Sequence, residues 1–245
     1  MIIDRYADRS YRSLHSAKDL AYFRVSVGES DLHIGAKKPL FREALPLVHA
    51  ARRLVEEEIA ARPRFQSSLV PIPAHGTEAP LILRMLQAGE LAGVGPMAAV
   101  AGAIAEEVGR ALLPESSELI VENGGDIFLY GSRERSIEIF AGSSPLSGLL
   151  ALSVLPKDGL GVCTSSGTIG HSLSFGCADA AVVLARDCAL ADAAATRLGN
   201  LLTSPERMEA ALDTVCSIRG VLGALVIFGD RLALKGELVL KTVSA

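Results

Sequence analysis

The chain has 245 residues, 49% of them hydrophobic, and a formal net charge of −4 at pH 7, enough for a substantial core in one large domain or two small ones. The acidic balance and an aromatic share of 4% exclude a basic, ring-lined nucleic-acid surface. No charge-free apolar stretch reaches the roughly 20 residues of a membrane helix, and the N-terminus carries acids where a signal peptide would be basic, so a cytoplasmic protein with neither a nucleic-acid nor a membrane partner is expected. Nothing in the pattern sets an oligomeric state.

Phe23, Val25 and Val27 alternate with polar residues, and Leu32 and Ile34 do so after Glu-Ser-Asp, which predicts strand, turn, strand. Apolar positions near helical spacing predict a helix over 40–62, ended by Pro63. Prolines 71, 73 and 80 mark an irregular stretch, and 81–91 reads as helical. Val94-Gly95-Pro96 opens a helix to about residue 112, with Pro96 suited to its first position. Three strand-like runs follow at 118–122, 127–130 and 136–141. In the second half, strands are predicted at 149–155 and 181–185, helices at 189–202 and after Pro205, and strands at 222–228 and 238–243. Strands, helices and strands, twice over, predict an α+β fold of duplicated units, about 1–145 and 146–245, with antiparallel sheets packed with helices.

The densest chemistry runs from Gly161 to Asn200. Glycines at 161, 167, 170 and 176 allow sharp turns and close approach to a ligand. The hydroxyls of Thr164, Ser165, Ser166 and Thr168 around Gly167 can bind phosphate or metal-bound water. Asp192 and Thr196 are four apart and share one face of a helix, where a carboxylate and a hydroxyl suit a hard cation such as magnesium; they also fit an ordinary polar helix face. Glu122-Asn123-Gly124-Gly125-Asp126 reads as a tight hairpin turn, whose amides and flanking acids can also meet a ligand.

Gly93-Val-Gly95-Pro-Met-Ala98 nearly matches a dinucleotide fingerprint, but a helical segment precedes it where that motif needs a strand. What remains is a glycine turn at Gly95 leading into a helix start that offers amides to an anion. Gly170-His171-Ser172-Leu173-Ser174 falls short of a hydrolase elbow at its last position, and His171 is the better candidate there for ligand contact or proton transfer. The four cysteines form no Cys-x-x-Cys pair and read as free buried thiols. Cys163 stands out because it borders the Thr-Ser-Ser-Gly run.

At these residues the chain resembles the ApbE-like superfamily, and within it a branch of uncharacterised ApbE-related proteins. The residues that carry the resemblance are Tyr-Arg at 11 and 12, Glu-Ser-Asp-Leu at 29–32 and Val-Gly-Pro-Met-Ala-Ala-Val-Ala-Gly at 94–102. They continue with Glu-Asn-Gly-Gly-Asp at 122–126, Thr-Ser-Ser-Gly-Thr at 164–168 and Ala-Asp-Ala-Ala-Ala-Thr-Arg-Leu-Gly-Asn at 191–200. The characterised members are FAD:protein FMN transferases with T-fold-like units. They use magnesium to cleave FAD and attach FMN to a threonine of an acceptor protein. The resemblance implies magnesium at Asp192 and Thr196, and flavin-nucleotide binding at Gly95, Asn123, Gly124, Gly125 and the 164–168 run. Asp126 and His171 are then the catalytic candidates. Two features depart from that pattern: the loop around His171 is shorter, and Ala92-Gly-Val-Gly-Pro lacks the lysine of the family's Ala-Lys-Gly segment. A magnesium-dependent enzyme acting on FAD is one implied function, and a non-catalytic flavin- or nucleotide-binding protein is the alternative.

Overall fold

The computed structural model describes residues 17–166 and 176–243. An eight-stranded sheet organises the fold, in the order β1-β2-β3-β4-β7-β8-β9-β10. Its strands are β1 (Ala21–Val27), β2 (Ser30–Ala36), β3 (Leu119–Asn123), β4 (Asp126–Tyr130), β7 (Leu160–Ser165), β8 (Ala180–Ala185), β9 (Val221–Phe228) and β10 (Arg231–Gly236). Every neighbouring pair is antiparallel. Helices α1 (Phe41–Ala61), α2 (Arg64–Ser67), α3 (Pro80–Ala92) and α4 (Val100–Leu112) lie between β2 and β3 in the chain, and α5 (Cys188–Leu201) and α6 (Met208–Cys216) between β8 and β9. Two strands, helices and two strands thus occur on each side of the β4–β7 pairing. A three-stranded sheet of β5 (Arg135–Glu138), β6 (Leu150–Val154) and β11 (Val239–Thr242) has the order β11-β6-β5.

The large sheet is the middle layer. The alternation of a strand sends successive side chains to opposite faces. Val121, Phe128, Cys163, Ala181, Val183 and Val226 pack with the helices. Ile120, Ile127, Leu129, Val162, Val182, Leu184 and Ile227 pack with β5 and β6 on the other side. Central strands covered on both faces need no polar positions, which is why β8 reads Ala-Ala-Val-Val-Leu-Ala and is buried throughout. In α1 the buried residues are Ala44, Val48, Ala51 and Val55, spaced four, three and four apart as one helix face requires.

Three expectations need correction. The helix expected from Gly95 to about 112 is a short 3₁₀ turn, Pro96–Ala99, followed by α4 from Val100. The ligand-binding segment expected from Gly161 onward, read for its glycines and hydroxyls, begins as strand β7, which takes in Thr164 and Ser165. Its small residues are required by the helix above, because a β-carbon at Gly161 would lie 2.5 Å from Cys188 Cα. Strand β10, an edge strand with little of its surface buried, was not expected at all, although Leu232 and Leu234 alternate with Arg231, Ala233 and Lys235. Among the described residues no single helix is long and apolar enough to cross a membrane.

Candidate functional site

The site begins at the β3–β4 hairpin. Asn123 and Asp126 are cross-strand partners, so only Gly124 and Gly125 form the turn. Their φ angles of +70° and +105° lie in the region that favours glycine. The Glu122 carboxylate, only 2% exposed, accepts the Gly125 N–H at 2.9 Å and locks the turn. The Asn123 amide donates to the Ala101 carbonyl at 3.2 Å and accepts the Asp31 N–H at 3.4 Å. The hairpin is therefore tied to both α4 and β2. Asn123 and Asp126 share the helix-side face with Val121 and Phe128.

Asp126 lies one residue beyond the β4–β7 ladder, whose pairs run Leu129↔Leu160, Phe128↔Gly161 and Ile127↔Val162. Asp126 is 8% exposed, and the nearby Cys163 thiol and Thr164 backbone N–H offset only part of the cost of burying its carboxylate. Burial, then the nearby Asp192 and Glu122 carboxylates, raises its pKa well above the usual carboxylate range. Asp192 approaches from α5. It is half-buried, and its carboxylate is drawn onto the start of α4, accepting the Gly102 N–H at 2.9 Å beside the Ala101 amide, which also favours its charged form. Burial pushes its pKa up to about 7 despite these two donors. Gly102 permits the approach: a β-carbon there would overlap the Cys188 carbonyl oxygen and lie 2.9 Å from Asp192 Cβ. Helix α5 is itself anchored at its first turn. The Asp187 side chain accepts the Leu190 N–H at 2.8 Å, and the buried Glu106 of α4 accepts the Cys188 N–H at 2.7 Å.

Two acids on different elements thus lie close together, and among the described residues no basic side chain contributes to either shift. That arrangement costs free energy unless a proton or a cation neutralises it. It suits magnesium, which needs few protein oxygens and keeps several waters. Among the described residues no three His, Cys, Asp or Glu side chains form a ready metal cluster, so waters or ligand oxygens would complete the shell.

The family model described as "AbpE bacteria" matches residues 12–227. The chain belongs to this family. A UPF0280 protein of Methanothrix thermoacetophila is 47% identical over 190 residues, spanning 76% of this chain and 79% of the relative. Another, from Methanocella arvoryzae, is 40% identical over 217 residues, or 88% of each chain. Among solved structures, the flavin transferase ApbE from Vibrio cholerae superposes with a TM-score of 0.53 at 12% identity, covering 89% of this chain and 96% of that one. The ApbE protein from Thermotoga maritima gives 0.57 at 12% identity, covering 89% and 97%. At such identities the likeness establishes the fold: α+β, with antiparallel sheets packed with helices.

On this ApbE-like fold the residues singled out from the sequence are distributed unevenly. Asn123, Gly124, Gly125 and Asp126 form the hairpin, and Asp192 comes to it from α5. Thr196 lies one turn beyond Asp192, half-buried, on the same face of α5. Ser165 pairs with Ala181 on the helix-side face and is buried. Thr164 pairs with Val182 and belongs to the opposite face, so its hydroxyl is turned away from Asp126. Ser166 follows directly after the strand. Gly167, Thr168 and His171 lie outside the described residues. Gly95 precedes the 3₁₀ turn, and a β-carbon there would overlap the Ser68 carbonyl oxygen. Close packing accounts for that glycine, and the amides at the start of α4 are engaged by Asp192 instead. Sequence reasoning missed Gly102 and Glu106. A glycine inside a helix signals close packing, and an acid among the alanines of the buried α4 stripe signals a buried partner.

Proposed function

We propose that this protein is a magnesium-dependent enzyme that cleaves the pyrophosphate of FAD, releasing AMP. The observation that carries the reading is the meeting of Asp126 and Asp192 beside the end of β7. Membership of the AbpE family and the fold shared with proteins named flavin transferases support a flavin nucleotide as the substrate.

Asp192 and Thr196 hold the metal through a carboxylate and a hydroxyl oxygen. When bound, magnesium supplies charge neutralisation and polarisation of a phosphoryl oxygen. Ser165, Ser166, Gly167 and Thr168 bind the phosphates, with the Asn123–Gly125 hairpin bordering the ligand. Asp126, whose carboxyl keeps its proton more readily than an ordinary one, holds or moves a proton at its carboxyl oxygen, together with His171. The hydroxyl that attacks the FMN-side phosphorus forms a new P–O bond, the pyrophosphate P–O bond breaks, and AMP leaves with the bridging oxygen. If the hydroxyl belongs to a threonine of an acceptor protein, the product is a phosphoester-linked FMN; if it belongs to water, the product is free FMN.

Incubation with FAD, magnesium and a threonine peptide, followed by chromatography, tests the reading. Flavin on the peptide identifies a transferase, and AMP with free FMN a hydrolase. Tight flavin binding without AMP would overturn the enzymatic reading in favour of a flavin-binding protein.

A further inference from the structure

The sequence points to Asn123 as a flavin contact, yet the structure engages both ends of its side-chain amide within the protein. The residue is buried. Its Nδ2 donates to the Ala101 carbonyl at 3.2 Å, and its Oδ1 accepts the Asp31 N–H at 3.4 Å. Flipping the amide would set donor against donor and oxygen against oxygen, so only this orientation makes both bonds. The Ala101 carbonyl and the Gly102 N–H belong to one peptide group, which is planar and rigid. On its far side the Gly102 N–H donates to Asp192 Oδ2 at 2.9 Å. Asn123 and Asp192 thus hold opposite edges of the same peptide, in the first turn of α4. A hydrogen bond to a peptide carbonyl polarises the group and strengthens its N–H as a donor, and the positive end of the helix dipole favours a carboxylate there. A carboxylate has about four lone-pair sites, so one donor on Oδ2 leaves room for a cation. Asn123 is also the cross-strand partner of Asp126. One side chain therefore joins the hairpin that carries Asp126 to the peptide that holds Asp192.

We infer that Asn123 is a positioning residue: through the Ala101–Gly102 peptide it fixes the Asp192 carboxylate for the metal, and its side-chain amide is not a ligand contact. The inference rests on the reading that Asp192 holds magnesium. The peptide is what makes the link specific. A side chain that only braced the hairpin could bond any neighbouring group, whereas Asn123 bonds the one carbonyl whose N–H partner across the peptide bond reaches Asp192.

Two measurements test this, and the first needs no activity. In nuclear magnetic resonance spectra of the metal-free, isotope-labelled protein, the Gly102 amide proton is expected to move upfield in Asp192→Asn, because a charge-assisted bond is lost. It is expected to move the same way in Asn123→Ala, whereas loosening of the hairpin alone would leave this α4 amide in place. Reciprocally, the side-chain amide protons of Asn123 are expected to move in Asp192→Asn, a test that stands even where Asn123→Ala does not fold. The second measurement is the magnesium dependence of AMP release. Asn123→Ala is expected to need about fivefold more magnesium for its half-maximal rate, the weight of one hydrogen bond, with the deficit in rate shrinking as magnesium is raised. A Gly102 resonance unmoved in folded Asn123→Ala, Asn123 amide protons unmoved in Asp192→Asn, or a wild-type magnesium dependence in Asn123→Ala overturns the inference. If the wild-type protein releases no AMP, the proposed function fails, and the resonances alone then decide whether Asn123 holds Asp192.

Discussion

At Asp192 the cost of the site can be measured directly. Its pKa is raised in the folded protein from 3.8 to about 7. Between those values the folded protein keeps a proton that the unfolded chain has lost, so the stability of the metal-free protein falls as pH rises from about 4 to about 7 and levels off above that. Asp192→Asn removes this dependence. It is expected to raise the metal-free melting temperature at pH 8 by about 3 °C, with the difference narrowing as pH falls and closing near pH 4, read by calorimetry. The opposite order, a less stable Asp192→Asn at pH 8, would mean that the charged carboxylate is well compensated without metal. The turn glycines give a second residue-scale expectation. Gly125 at φ +105° has open space around a would-be β-carbon, so Gly125→Ala suffers only backbone strain and should cost about 1–2 kcal/mol by urea denaturation. This hairpin was legible in the sequence because its chemistry is local: Asn-Gly-Gly-Asp between two apolar runs specifies the turn without help from the rest of the fold. Cys163 was noticed only for its neighbours, since its packing against Cys188 of α5 depends on the tertiary fold.

At the scale of elements, α5 decides whether the site exists, because it carries both Asp192 and Thr196. Two devices set its position: Glu106 bonded to the Cys188 N–H, and Gly102 beneath it. Glu106→Ala strands that buried N–H and should destabilise the protein by about 2 kcal/mol in chemical denaturation. Gly102→Ala forces α4 and α5 apart at the Asp192 contact. A cost of about 1–3 kcal/mol is expected, with magnesium-dependent FAD binding lost in the variant that still folds. Binding that survives intact would show that the α4–α5 spacing is not needed. The elements themselves were mostly legible. The predicted helices over 40–62 and 189–202 correspond to α1 and α5, because an amphipathic face is written in local spacing. β7 was misread because its small residues answer to α5, a neighbour distant in sequence.

For the whole molecule, the eight-stranded antiparallel sheet brings the hairpin at the end of β3 and β4 beside β7 and under α5. One half of the chain thereby supplies Asp126 and the other Asp192. Fold class and family were readable from pattern and motifs. The meeting of these two acids was not, since no local spacing relates Asp126 to Asp192 and only the sheet order joins them. Engagement of the α4 amides by Asp192, in place of a ligand phosphate near Gly95, was hidden for the same reason. The central claim is that this junction is a magnesium site for a flavin nucleotide. Calorimetric titration of magnesium into the protein with FAD present tests it most directly, comparing wild type with Asp192→Ala. The account predicts saturable binding to wild type that strengthens as pH rises through about 7, as Asp192 gives up its proton, and is lost in the variant. Equal magnesium affinity in the two proteins would contradict it.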